Sequence, residues 1–444
     1  MDINFILDKM RESGNQLALV SDERDFSFAD VLDKYEKAKE SLNEFQIKPG
    51  DIVALCADYT PVSIACMLAL IERDVVLVPM ARTSKNIEFY LKISEAGFYI
   101  NIVNEQLNLR KLDTIVEHPM LVKLIKGKKP GLILFSSGTT GEPKAILHDL
   151  TKLMEKFHKP GKVLRTITFL MFDHIGGFNT LMHALANGGT IITIKTRNVE
   201  EVCDVIQKYK VELLPASPTF LNMMLLSRLY ENYDLSSLKI ISYGTEPMAE
   251  STLRKLNQIF PDVKLKQTYG LAELGITASK SEKSDSLWMK LGGEGYQFKV
   301  VDDILYIKAD SAMLGYLNAP SLFDDEGWFN TKDKVLVKGD YIKILGRTTD
   351  LINVGGEKVY PIEVEGVLLK IDGVKDARVY GEDYAVTGKR IVAQLFVDEK
   401  NNNRDFKNKV RTFCKEHLEK AKIPSKIKLT CDALYGERLK KERK

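Results

Sequence analysis

The chain has few cysteines. Five in 444 residues (Cys56, Cys66, Cys203, Cys414, Cys431) are odd in number and scattered, without a C-x-x-C pair, and the six histidines show no ligand spacing beside them. That excludes a disulfide framework and a Cys/His metal cage, and fits thiols kept reduced in a cytoplasm. An excess of one charge is also missing. The 64 Lys and Arg against 61 Asp and Glu leave a formal net charge of +3, too balanced for a nucleic-acid footprint. No apolar run approaches the length that spans a bilayer, so no integral membrane segment is expected. The opening Met1-Asp2-Ile3-Asn4 has no basic region leading into an apolar core, so no secretory signal is expected either. Internal repeats and long low-complexity tracts are absent; the nearest is the basic stretch 435–444, a charged tail of the usual solvated kind. What remains is ordinary globular composition, 44% hydrophobic and 28% charged, with length for two or three domains.

One stretch stands out against that background. The apolar run Leu132-Ile133-Leu134-Phe135, set between Pro130-Gly131 and a glycine loop, reads as a short buried strand. The loop is Ser136-Ser137-Gly138-Thr139-Thr140-Gly141-Glu142-Pro143-Lys144, with four hydroxyls, two glycines and a lysine. Glycines let backbone N–H groups turn toward a ligand, hydroxyls add donors, and the lysine adds positive charge: equipment for a polyphosphate. The spacing is not the G-x-x-x-x-G-K-[ST] phosphate loop, yet the string is too particular for a plain solvated turn.

Strand-like and helix-like segments alternate after it. Strands are expected over 190–194, 211–216, 238–242 and 263–268, with helical periodicity over 199–209, 219–229 and 248–260 between them. Such alternation implies a parallel sheet with right-handed crossovers, whose ligands lie beyond the carboxyl ends of the strands. The polar strings fall there: 136–144, Ser242-Tyr243-Gly244-Thr245-Glu246-Pro247, and Tyr269-Gly270-Leu271-Ala272-Glu273. The segment 51–80 repeats the logic, with strands 52–55 and 75–78 about a helix 61–71, and suggests a second sheet of similar topology. Near Lys290 the pattern changes to glycines and short β-like runs (297–301, 304–307, 341–345). Beyond the connector Gly346-Arg347-Thr348-Thr349-Asp350, strands at 377–380 and 391–397 and a helix over 404–420 suggest a small α+β domain.

With these strings in view, the chain resembles the acyl-adenylate-forming, AMP-binding superfamily of acyl-CoA synthetases, nonribosomal peptide synthetase adenylation domains and beetle luciferases. The resemblance runs from about Phe28 to at least Pro424. It rests on the loop 136–144 and on Gly346-Arg347…Asp350…Gly355-Gly356-Glu357-Lys358-Val359-Tyr360-Pro361-Ile362-Glu363-Val364-Glu365. It implies an α/β fold: a large N-terminal domain, 1–345, of parallel-rich sheets flanked by helices, and a small mobile α+β C-terminal domain, 346–444.

The resemblance also implies roles. Thr139 and Thr140, with Ser136, Ser137, Gly138, Gly141 and Lys144, would hold the β- and γ-phosphates of ATP. Glu273 would carry Mg²⁺, a hard cation suited to a carboxylate beside phosphate oxygens. Gly244, Thr245 and Glu246 match the adenine-facing segment, and Tyr269 and Gly270 open the string that ends in Glu273. Asp333 would accept the ribose hydroxyls, with Arg347 close to the same sugar. Taken alone, either carboxylate would pass for a solvated surface group; the surrounding strings distinguish them. His174, in Phe172-Asp173-His174-Ile175-Gly176-Gly177, resembles the gate beside the acyl pocket of acyl-CoA synthetases, and Gly355-Gly356 would admit a pantetheine arm.

The implied activity is that of an AMP-forming acid–thiol ligase: activation of a small carboxylic acid as its acyl-adenylate, then transfer to coenzyme A. Loading of an amino or aryl acid onto a phosphopantetheine carrier protein stays open, on the strength of Asp173. So does nucleotide binding without turnover.

The chain departs from the family pattern at several places. Ala272 replaces a usual threonine, Lys332 stands where glycine is preferred, and Thr349 occupies a hinge position normally Asp or Lys. In Tyr435-Gly436-Glu437-Arg438-Leu439-Lys440 a glutamate aligns with the adenylation lysine. Three explanations stand side by side: a shifted register in which Arg438, Lys440 or Lys441 serves, slow adenylation, or action in one half-reaction or none. The shifted register, with Lys440 as the catalytic cation, is the expectation carried forward.

Overall fold

A computed structural model describes residues 1–136, 142–384 and 387–434. The chain divides into two compact units built from interleaved segments. Met1–Pro215, Gly270–Ile276 and Ala309–Leu322 make the first; Ala216–Tyr269, Thr277–Lys308 and the chain from Phe323 onward make the second.

In the first unit a seven-stranded sheet runs in the order Gly315–Tyr316, Lys144–Asp149, Gly131–Ser136, Val76–Ala81, Ile52–Ala57, Phe98–Val103, Gln106–Lys111. Its four middle strands are parallel, and the outer ones pair antiparallel at either side. Ile52–Ala57 and Val76–Ala81 are buried along their whole length, as continuous apolar runs in a sheet covered on both faces should be. Between them Pro61–Glu72 is apolar on every side and buried at all but its last residue, the mark of a core helix. Thr60 starts it through a capping box. The Thr60 hydroxyl accepts from the Ser63 N–H, the Ser63 hydroxyl accepts from the Thr60 N–H, and Pro61 opens the first turn. A second group of parallel strands in the same unit, Leu213–Ala216, Arg165–Ile167, Thr190–Ile192 and Leu17–Ser21, ends on the antiparallel Arg24–Ser27.

The second unit holds the parallel pair Ile240–Tyr243 and Lys264–Gln267, with helices Pro218–Ser227 and Glu250–Ile259. It also holds a six-stranded sheet, ordered Ala278–Ser281, Met289–Gly292, Tyr341–Arg347, Phe329–Lys338, Ile304–Ala309, Tyr296–Val301. From Ile352 a five-stranded sheet with helices Pro361–Leu368 and Arg404–His417 encloses its own core, in which Val359, Val364, Leu368, Val379, Ala393 and Val410 are fully buried.

The expected α/β layout and the β-rich change of character near Lys290 are both present. Strand 190–194 is shorter than its sequence pattern, ending at Ile192, and the last helix stops at His417 instead of 420. Three elements between 144 and 187 carry no clear period in the sequence: strands Lys144–Asp149 and Arg165–Ile167 and helix Ile175–Asn187. Buried His148 and Asp149 break the apolar run of the first, and Gly176-Gly177, poor helix formers, open the last.

Candidate functional site

The strand Gly131–Ser136 delivers Ser136 to its carboxyl end, directly opposite Lys144 on the returning strand. Ser137, Gly138, Thr139, Thr140 and Gly141 lie outside the described residues. Lys144 holds its ammonium 5.1 Å from the centre of the Tyr316 ring. The Tyr316 hydroxyl in turn donates to Glu273 Oε1 at 2.6 Å. A cation, an aromatic ring and a half-buried carboxylate thus form one chain of contacts in the first unit.

The backbone around this trio is pinned from several directions. Leu314 N–H donates to the Leu147 carbonyl at 2.7 Å and Leu317 N–H to the Ala145 carbonyl at 2.9 Å. The Asn318 amide accepts from the Ala145 N–H and donates to the Pro143 carbonyl, both at 2.9 Å. The Glu273 carbonyl accepts from Met313 N–H at 2.7 Å, and the Leu274 carbonyl from the Ser311 hydroxyl at 2.9 Å. His148 Nε2 lies 2.7 Å from the Ala272 carbonyl. A carbonyl only accepts, so Nε2 carries the proton. Burial pushes the His148 imidazole down from the ordinary 6.5 to about 4, against hydrogen bonding to the backbone of Ala272 and Ser311.

The second unit carries a comparable arrangement around Asp333, which is only 7% exposed. Register across the hairpin sets Asp333 opposite Arg347. The Tyr269 hydroxyl donates to Asp333 Oδ2 at 2.6 Å, and Arg347 Nε stands 3.5 Å from Oδ1. Burial raises the Asp333 carboxyl above its usual range, while Arg347 and the Tyr269 hydroxyl pull it back. Tyr269 is pushed up for the same reason, by burial and by the carboxylate beside it. Lys332, next to Asp333, has φ +59°, which explains why glycine suits that position.

The string after Ile240–Tyr243 is shaped by close packing. A side chain at Gly244 would sit 2.8 Å from the Thr268 carbonyl oxygen, and Thr245 has φ +72°. Glu246 is already engaged: its Oε1 accepts from the Thr219 N–H at 2.8 Å, in the first turn of helix Pro218–Ser227. His174 caps helix Ile175–Asn187, its Nδ1 accepting from the Gly176 N–H at 3.1 Å. The glycines after it answer to the chain itself: a Cβ on Gly177 would lie inside the Met171 carbonyl, and one on Gly176 2.7 Å from Leu170 Cδ1. Gly270 opens the short antiparallel turn Gly270–Leu271 with Gly275–Ile276 that leads into Glu273. Lys440, with Glu437, Arg438 and Lys441, lies outside the described residues.

Tyr316 and His148 are the contributors that sequence reasoning missed. Neither belongs to a string with chemical character of its own. Tyr316 becomes visible only because 309–322 returns to the edge of the first sheet.

The surroundings of Glu273 suit a hard cation that brings most of its own oxygens. There is one half-buried carboxylate with one hydrogen bond in place, and among the described residues no cluster of three or more His, Cys, Asp or Glu forms a protein-only cage.

Carboxylates and cations held on loops and hairpins of a parallel-rich α/β fold define a class of ligand-binding α/β protein. The family follows from comparison: a family model for AMP-binding enzymes matches residues 7–317, one for the AMP-binding enzyme C-terminal domain matches 363–441, and the chain belongs to that family. It is 26% identical to a 2-succinylbenzoate–CoA ligase of Bacillus pumilus over 466 aligned positions, covering 95% of this chain and 93% of the relative. With 4-coumarate–CoA ligase-like 9 of Arabidopsis thaliana it shares 28% identity over 302 positions, 61% of this chain and about half (53%) of that relative. Among solved structures, an anthranilate CoA ligase in complex with anthranoyl-AMP superposes with a TM-score of 0.82 over 99% of this chain and 95% of its own, at 18% identity. That likeness speaks for the fold.

Proposed function

We propose that the protein is an AMP-forming acid–CoA ligase: it activates a small carboxylic acid with ATP as the acyl-adenylate and passes the acyl group to the thiol of coenzyme A. The observation that carries this reading is the buried Asp333, backed by Tyr269 and Arg347 in a chain of the AMP-binding family. A carboxylate so held keeps lone pairs in a fixed place for a pair of vicinal hydroxyls, as on a ribose. Two relatives named as 2-succinylbenzoate–CoA ligases, aligned over 93% and 94% of their lengths, favour coenzyme A over a carrier protein.

In this reading a carboxylate oxygen attacks the α-phosphorus and pyrophosphate leaves. The coenzyme A sulfur, having lost its proton, then attacks the acyl carbon and AMP leaves. Ser136, Ser137, Gly138, Thr139, Thr140, Gly141 and Lys144 cradle the leaving phosphates. Glu273 would hold Mg²⁺, whose contribution is neutralisation of phosphate charge. Gly244, Thr245 and Tyr269 face the base, with Glu246 behind them at its helix. His174 borders the acid, and Lys440 supplies the cation that Glu437 does not. The small domain 346–444 turns about its connector between half-reactions. Five free thiols suit a cytoplasmic setting.

The test is a screen of AMP and pyrophosphate release over fatty, aryl and amino acids, with and without coenzyme A. Thioester formation with free coenzyme A is expected for at least one acid. Product only with a phosphopantetheinylated carrier would move the acceptor, and ATP binding without AMP or pyrophosphate would end the enzymatic reading. Pyrophosphate exchange in Lys440→Ala, Lys441→Ala and Arg438→Ala tests the shifted register, which fails if all three exchange undiminished.

A further inference from the structure

We propose that Tyr316 is a positioning residue that keeps Lys144 and Glu273 apart, so that each stays available to its own ligand. This rests on the reading that Lys144 serves ATP phosphates and Glu273 a divalent cation. An ammonium and a carboxylate gathered around one side chain would ordinarily close on each other. A closed pair would neutralise both, leaving neither a cation for phosphate nor an anion for a metal.

The geometry of Tyr316 opposes that closure. Its hydroxyl occupies Glu273 Oε1 at 2.6 Å, a short charge-assisted bond, while its ring face carries the Lys144 ammonium at 5.1 Å. Among the described residues Lys144 and Glu273 form no ion pair with each other. The hydrogen bond takes one of the roughly four lone-pair sites of the carboxylate, so a cation can still be bound. A ring face holds an ammonium loosely enough to surrender it to a phosphate.

Tyr316 is itself held firmly. It is 5% exposed, pairs with Ile146 across the sheet edge, and sits between two backbone bonds, Leu314 to Leu147 and Leu317 to Ala145. The ring therefore cannot swing aside to let the charges meet.

Calorimetry of ATP binding, once with Mg²⁺ and once with chelator, tests this without reliance on turnover. Tyr316→Phe keeps the ring and loses the hydroxyl. Its ATP affinity in chelator should match the parent, while the Mg²⁺ concentration needed for tight binding rises about fivefold, as for one lost hydrogen bond. Tyr316→Leu removes the ring and lets Lys144 reach Glu273. Its ATP affinity in chelator should fall about tenfold, and adding Glu273→Gln should restore it to that of Glu273→Gln alone.

Unchanged chelator affinity in Tyr316→Leu, or a loss that Glu273→Gln does not relieve, overturns the proposal. So does an unaltered Mg²⁺ requirement in Tyr316→Phe, which also serves if the leucine variant does not fold. Failure of the parent protein to bind ATP at all is a different result, and tells against the function instead.

Discussion

Two tyrosine hydroxyls in this chain donate to a carboxylate at the same 2.6 Å, yet the cation beside each is handled in opposite ways. At Asp333, Arg347 stands against the carboxylate itself, 3.5 Å away; at Glu273, Lys144 is parked on the tyrosine ring. Burial accounts for the difference. Asp333 is 7% exposed and needs partners on both oxygens to stay ionised, because desolvation has already raised its pKa. Glu273 is only half-buried and carries one, the Tyr316 hydroxyl. The first arrangement suits a ligand that brings hydroxyl donors, and the second suits one that brings charge of both signs.

The sharpest way to break that comparison is Asp333→Ala, which leaves the buried Tyr269 hydroxyl and the exposed Arg347 facing an empty position. ATP affinity should fall about 100-fold or more by calorimetry, whereas Asp333→Asn, which keeps the shape and one acceptor, should lose only about tenfold.

Next in size is the brace behind Glu273. His148 titrates near 6.5 unfolded and near 4 folded, so its stabilising contribution is whole above 6.5 and is lost as pH falls toward 4. That loss should reach about 3 kcal/mol, and denaturant melts of the parent at pH 7 and 4.5 should differ by more than those of His148→Gln. An equal pH slope in both proteins would show that the imidazole is not buried neutral.

Tyr269→Phe sharpens the contrast at the other carboxylate. Removing a donor to a buried anion should cost about 1.5–3 kcal/mol of stability and lift the Asp333 pKa further. The acid limb of ATP binding should then move to higher pH, a shift that Tyr316→Phe does not produce. Smallest of all, Lys332→Gly relieves a left-handed lysine and should raise stability by about 1 kcal/mol, read as a higher melting temperature. A lowered melting temperature would mean that the lysine side chain, and not its backbone, matters there.

Much of this was legible in the sequence, for definite reasons. Continuous apolar runs such as 52–55 and 132–135 announce buried strands, observed over Ile52–Ala57 and Gly131–Ser136, and the glycine and hydroxyl string after the second announces a loop of chemical use. Asp333 and Arg347 were marked by their strings, and the hairpin register brings them opposite each other. The hidden parts depend on long-range return of the chain. Nothing near Tyr316 says that it will meet Lys144, 172 positions earlier, or Glu273, because that meeting is made by a sheet edge. His148 looks like any histidine in an apolar run until the Ala272 carbonyl arrives opposite it. Glu246 shows the reverse: a string that reads as ligand-facing spends its carboxylate on a helix terminus.

Gly177 carries a separate lesson about tolerance to substitution. The 170–171 backbone passes so close to the start of helix Ile175–Asn187 that only a hydrogen atom fits there. In a library of all single substitutions, position 177 will therefore look as unforgiving as a reacting group. Its silence in such a map would be written by steric exclusion, and the neighbouring His174 should not inherit a chemical role from it.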